Sequence, residues 1–464
     1  MADAKILVPA GMLGAGFTAE ALDRGIALGA CAIAIDGGST DSGPAYLGRA
    51  MPKMPPEAIA ADLRLMITRA VPAGIPVLVG SAGTSGTDAG VDWVADMVET
   101  IASAEGIALR LARIYSEITT DELHRRMAAD RVEPLAPLGP LTDELIDRCE
   151  HIVGLLGAEP FVDALDAGAD VIVAGRATDT AVIAAVPLRR GCPPGPTWHA
   201  AKIAECGGQC TTNPRGGGVL VEIDDGGFTV EPLDLASACT PLSVAAHMIY
   251  ENANPNLLRE PSGTLDVTGA AYEPLDDRRV RVTGSVFSPE PYTNKVEGAG
   301  LVGYQSMAIA GIRDPEVLAE IDVWAKTLRE LLVDKARTVL GVDVGVDVGD
   351  GVGAGRCTIE IRCYGWNAVL GDHDPDPTPP REVGALLLVT APDQSTATRI
   401  VKLANPYLLH MPLPHMDHLP SYAFMASPAE IERGPLYEFL LNHVVHVDSP
   451  GELSRTTISE VGAR

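Results

Sequence analysis

Three stretches of this chain repeat one pattern: a short apolar run followed by a loop of Gly, Ser, Thr and Asp. They are Cys31–Ile35 with DGGSTDSGP (Asp36–Pro44), Val77–Val79 with GSAGTSGTD (Gly80–Asp88), and Val171–Ala174 with GRATDT (Gly175–Thr180). Short, bounded, fully apolar runs of this kind read as buried strands of a parallel sheet. Loops at the carboxyl ends of such strands converge on one crevice, the usual ligand site of an open α/β sheet. Glycine lets backbone approach closely there, and amide and hydroxyl donors favour an anion. The repeated pattern predicts a polar site for an anionic small molecule.

Strand-like and helical patterns alternate around these loops. Ile6–Pro9 reads as the first strand. Ile59, Leu63, Met66 and Ile67 form a helical stripe, as do Val91, Val94, Val98 and Ile101. Ala108–Tyr115, His151–Leu156 and Asp170–Ala174 read as further strands. This alternation predicts an N-terminal, doubly wound, mostly parallel sheet over residues 1–198, with a β/α barrel as the alternative. The proline-dense stretch Pro187–Trp198 is expected to end that core. Residues 199–278 carry no clear period and read as a connecting segment. Residues 279–446 read as a second, α+β domain of ferredoxin-like order, with strands at Cys357–Tyr364 and Gly384–Ala391 and helices over Pro315–Ala336 and Ser395–Leu409. Residues 447–464 read as a polar tail, and the repetitive Gly341–Gly355 as an exposed connection.

The chain has 464 residues, too many for one ordinary core. Its 35 basic and 62 acidic residues leave a net charge of −27. That field argues against nucleic-acid or anionic-membrane partners, so an anionic substrate must be held by local donors. The apolar N-terminal stretch contains Asp3, Pro9 and glycines and does not read as a signal peptide. With eight scattered cysteines, a cytoplasmic location is expected. Cys206 and Cys210, the only close pair, lack partners at zinc spacing.

Within the first loop, Asp36 and Asp41 are candidates for a general base or for holding Mg²⁺, while Gly37, Gly38, Ser39 and Thr40 offer donors. A turn capping the next helix is the alternative. Ser81, Gly83 and Thr84 extend the donor set. Arg176 offers a planar fork for a carboxylate or phosphate, flanked by Thr178 and oriented by Asp179; an internal Arg–Asp pair is the alternative. Glu159 stands past a strand-like run as a candidate acid/base residue or helix cap. Lys295 lies two residues before Glu297, a spacing that puts both on one strand face, as a base or clamp or as an ion pair. His247 reads as a core or helix-end histidine. His410, His415 and His418, among prolines, read as loop histidines. No dinucleotide fingerprint, P-loop or nucleophile elbow is present.

The blocks DGGSTDSGP, GSAGTSGTD, HIVGLLGAEPF, GRATDTA, ECGGQ, SVAAHMIYENANP, EPSGTLD, YTNKVEGA and YGWN resemble, in order, those of the acyclic terpene utilization (AtuA) family. The resemblance implies a place in catabolism that runs through acyl-CoA esters. It also implies a form lacking the fused C-terminal ferredoxin-fold domain and paired with a short partner of that fold. Together these readings predict a lyase of the hydratase/dehydratase type or an isomerase. The alternatives are a metal-assisted hydrolase or ligase, and a non-catalytic subunit that needs its short partner. A homo-oligomer is expected.

Overall fold

The computed structural model describes residues 3–345, 356–373, 378 and 380–462. The reading of Gly341–Gly355 falls largely outside the described residues. Two compact units divide the chain: Met1–Gly300 with Phe439–Arg464, and Leu301–Glu438.

In the first unit, five parallel strands form the centre of a ten-stranded sheet: β1 (Ala4–Val8), β2 (Ala32–Asp36), β3 (Val77–Gly80), β4 (Leu109–Tyr115) and β5 (Val171–Ala174), in the spatial order β1-β2-β3-β5-β4. Period-two alternation sends Leu7, Ile33, Ile35, Val77, Val79, Val171 and Val173 to one face. Ile6, Val8, Ala34, Leu78 and Ile172 go to the other. Helices α1 (Ala19–Ala27), α2 (Pro56–Ala70) and α3 (Asp88–Glu105) cover the first face with Leu22, Leu63, Val94 and Val98. Helices α4 (Glu159–Asp166), α5 (Asp179–Arg189) and α6 (Pro194–Ala204) cover the second with Phe161, Val182 and Trp198.

The whole sheet is mixed rather than mostly parallel. Residues 199–278, expected as a connection, supply antiparallel strands to it. β6 (Val219–Asp224) pairs with β1, β7 (Gly227–Pro232) with β6, and the hairpin β8 (Ala271–Pro274) and β9 (Val280–Thr283) closes that side. The polar C-terminal residues also form a strand, Arg455–Val461, antiparallel to β4. Its residues RTTISEV are β-branched or polar and mostly exposed, which suits an edge strand. The prolines of Pro187–Trp198 do not end the core. Pro187 lies inside α5, and Pro194 opens α6, where its missing N–H is no loss.

The second unit runs strand, helix, strand, strand, helix, strand. β10 (Thr293–Ile312) enters it from the first unit. β11 (Thr358–Tyr364), β12 (Val383–Ala391) and β13 (Ile431–His446) join it in the order β11-β12-β10-β13. Helices α8 (Ile321–Leu340) and α9 (Gln394–His410) pack Trp324, Leu328, Leu332, Ile400 and Val401 against Ile359, Leu387 and Val389. Asp314 caps a separate short helix, Pro315–Ala319, and the chain breaks at Glu320 before α8 begins. No described helix is long and apolar enough to cross a membrane.

Candidate functional site

Parallel pairing of β2, β3 and β5 brings the three Gly/Ser/Thr/Asp loops to one edge. Their backbones then lock together: Gly37 N–H donates to Gly80 O (2.7 Å), Ser81 N–H to Gly175 O (2.9 Å), and Arg176 N–H to Gly86 O (3.2 Å). A Cβ on Gly38 would stand 2.8 Å from Thr84 Cα, and one on Gly86 2.0 Å from Arg176 N. Glycine here serves loop-to-loop packing, whereas the sequence suggested ligand approach. Ser81 and Thr84 are fully buried at φ of 44° and 81°. Ser81, Gly83 and Thr84 therefore form a rigid floor beneath the site, and none of them is a wall of the cavity above.

That cavity measures about 460 Å³. One wall carries Asp36, Gly38, Ser39, Asp41, Lys53 and Asp179; the other carries Cys206, Gln209, Arg215, Tyr250 and Glu251. Asp36 ends β2 and is buried, with Oδ2 accepting from Gly38 N–H (2.8 Å). Burial pushes its carboxyl well above the ordinary carboxylate range, the Asp179 charge adds to this, and Arg176 opposes it. Asp179 opens α5 behind Thr178, whose hydroxyl caps the helix by accepting from Ala181 N–H (3.2 Å). Burial also raises Asp179, against the pull of Arg176 and Lys202.

Arg176, expected as a ligand clamp or as the internal partner of Asp179, stands 3.9 Å from Asp179 and meets further protein groups. It is 7% exposed; Nη1 donates to Ser81 Oγ (3.0 Å) and Nη2 to Thr40 Oγ1 (3.4 Å), while Nε stands 3.5 Å from Glu297 Oε2. Thr40 donates to the same carboxylate (3.0 Å), and Lys295 Nζ bonds its other oxygen (2.7 Å). Burial alone would raise Glu297, but Arg176 and Lys295 outweigh it and hold the carboxyl below its usual range. Lys295, Thr40 and Asp41 also line a separate cavity of about 330 Å³. Glu159 lies apart from the cavity of Asp36. It accepts from Tyr292 Oη (2.9 Å) and borders an apolar hollow of about 360 Å³ beside Trp198 and Phe287.

Four further titratable groups, none of them lining the cavity, were not legible as a site: Lys202, Glu205, Glu260 and His247. Lys202 and Glu205, at the end of α6, form a buried ion pair. Glu205 is pushed up to about 8, chiefly by burial. Glu260 accepts from Thr180 (2.7 Å) and Thr178 (3.3 Å) and is pushed up to about 7 by burial. His247 ends α7 (Pro241–His247), stacks on Tyr250 with ring centroids 5.5 Å apart, and is pushed down to about 4 by burial and the Lys202 charge. The available signal was Lys202 and Glu205 at helical spacing inside the apolar run HAAKIAEC.

Asp36 and Asp41, read as general bases or Mg²⁺ ligands, share the cavity with Asp179 and Glu251 but belong to no group of three possible ligands within 4.8 Å among the described residues. The trio whose ligand atoms all lie within 4.8 Å is Glu205, Cys206 and His247. His410 Nδ1 faces Pro420 O (3.0 Å), His415 is 3.6 Å from Glu320, and His418 is 3.7 Å from Asp314.

The structure is thus a mixed α/β protein with an acid-lined cavity at the carboxyl edge of its parallel strands. The family model described as acyclic terpene utilisation family protein AtuA matches residues 56–414, and the chain belongs to that family. The match takes in the second and third loops and the far wall, while the first loop precedes it. No curated protein and no solved structure matches the chain.

Proposed function

We propose that the chain is a catabolic enzyme acting on a small carboxylate or acyl-CoA ester, as a hydratase/dehydratase-type lyase or an isomerase, with Asp36 and Asp179 as its acid/base pair. The observation that carries this reading is the pair itself: two carboxyls line one cavity, and burial raises the pKa of both. Carboxyls that repel each other beside a single guanidinium hold protons unequally, so one can donate while the other accepts. The ionised member takes the proton α to the substrate carbonyl. The protonated member then gives its proton to a departing hydroxyl in a dehydratase, or to carbon in an isomerase. Lys53 and Arg215 supply the cationic groups of the cavity for an anionic substrate. The strand–helix order of Leu301–Glu438 supports reading that unit as ferredoxin-like.

The test is deuterium wash-in from heavy water, followed by NMR, over α,β-unsaturated and β-hydroxy acids and their CoA thioesters. Wild type is expected to exchange the α-proton of at least one compound. Asp36→Asn should lose exchange by on the order of 100-fold or more, with the melting temperature kept. The reading fails if wild type neither exchanges nor consumes any compound, alone or with a short ferredoxin-fold partner. It fails equally if Asp36→Asn and Asp179→Asn both match wild type.

A further inference from the structure

Glu205 is the C-cap residue of α6, Cys206 follows it, and His247 is the last residue of α7. The Sγ of Cys206, a ring nitrogen of His247 and a carboxylate oxygen of Glu205 all lie within 4.8 Å of one another. His247 is 5% exposed, and its Nε2 is buried with no hydrogen-bond partner. A buried ring nitrogen left bare costs free energy that a ligand would recover. Cys206 also lines the 460 Å³ cavity, so one member of the trio borders a space that an exogenous ligand can enter.

We propose that Cys206, His247 and Glu205 form a transition-metal site of the Zn²⁺ class, with a fourth position open to the cavity. A thiolate, an imidazole and a carboxylate match the mixed softness of Zn²⁺, and a thiolate selects against Mg²⁺ and Ca²⁺. Two ligands of one tetrahedral Zn²⁺ stand roughly 3.5 Å apart, so side-chain closure of about 1.3 Å at most completes the set. Lys202 hydrogen-bonds Glu205, and carboxylates that ligate metals are commonly held by such a bond. The C-terminal end of α6 adds a partial negative charge that favours a cation. The proposal departs from the sequence reading, which found no partner for Cys206 at zinc spacing in the chain. The partner, His247, is distant in sequence and near in space.

The test uses tag-free protein loaded with zinc, dialysed against metal-free buffer and measured by plasma mass spectrometry. Wild type and the control Cys31→Ser should each retain about one equivalent. Cys206→Ser and His247→Gln should retain less than about a tenth of that. Because a variant can lose metal through misfolding, wild type is also loaded with cobalt. A thiolate-to-cobalt charge-transfer band that disappears on chelation and is absent in folded Cys206→Ser supports the site. No stoichiometric zinc in wild type, full retention by Cys206→Ser, or cobalt without a thiolate band overturns it. None of these readouts depends on turnover, so failure here leaves the acid/base reading standing, and the reverse also holds.

Discussion

Two sets of buried charges, one behind the loops and one around Lys202, resolve differently. Behind the loops, Arg176 and Lys295 share one low-lying carboxylate, Glu297, to which Thr40 also donates. Asp36 and Asp179 are then surplus acids, and burial keeps them easier to protonate than ordinary aspartates. Around Lys202, Glu205 is its direct partner, Glu260 is held by the Thr178 and Thr180 hydroxyls, and His247 is pushed towards the neutral form. The loop side pairs its cations with Glu297 yet leaves Arg176 Nε and Asp36 Oδ1 buried without a hydrogen bond. The other side leaves His247 Nε2 in the same condition beside the Cys206 thiol. Under the two proposals above, proton transfer belongs to Asp36 and Asp179 and metal capture to Cys206, His247 and Glu205.

The largest effect that can break this comparison is at Arg176. Removing its charge with Arg176→Leu strands Glu297, Asp36 and Asp179 without their common cation. Breaking a buried pair in this way costs roughly 3–5 kcal/mol. Denaturant melts should show that loss, and Arg176→Lys should lose less stability because the charge remains. A stable Arg176→Leu protein with weakened ligand binding would return Arg176 to the role of clamp and undo the assignment of the loop side.

The second effect is a pH slope from Glu260. Its folded-state pKa of about 7 lies above the unfolded value of about 4.3, so the folded state keeps a proton that the unfolded state gives up. The stability this contributes is complete below the unfolded pKa and is lost as pH rises through the folded one. Compared with Glu260→Gln, wild type should lose about 1.4 kcal/mol for each pH unit between those values. Melts of both proteins across that range measure the difference directly. Parallel curves would mean that Glu260 is ionised in the fold and that the group around Lys202 carries more negative charge than described.

What the sequence disclosed divides along the same line. The three loops were legible because both of their signals are local: a few apolar residues set each strand, and the following glycines and hydroxyls set each turn. That parallel neighbours would bring them to one edge followed from the α/β pattern. The contact of Arg176 with Glu297 was not legible, because it forms through the pairing of β10 with His151–Gly154, and no local period encodes it. The far wall was lost with residues 199–278, whose short hairpins give too few alternations to register. Their turn Asp224–Gly227 was the one clear hairpin signal there. The C-terminal strand was missed because an edge strand with exposed threonines and charges looks polar throughout.

The smallest effect sharpens the loop side by what it leaves intact. Lys295→Met removes one of the two cations on Glu297. The carboxylate keeps Arg176 at 3.5 Å and the Thr40 hydroxyl at 3.0 Å, so it is not left bare. The Lys295 side chain is 39% exposed, and solvent screens its charge, which limits the loss to about 0–1 kcal/mol. Lys295 is also absent from the walls of the cavity that holds Asp36 and Asp179; it faces the separate hollow beside Phe439 and Asn442. Deuterium exchange by Lys295→Met should therefore stay within about twofold of wild type, well short of a general-base effect. A loss of two orders of magnitude with an unchanged melting temperature would move the chemistry to the Lys295 hollow. Asp36 and Asp179 would then be the structural acids, and the roles argued for the two cavities would exchange.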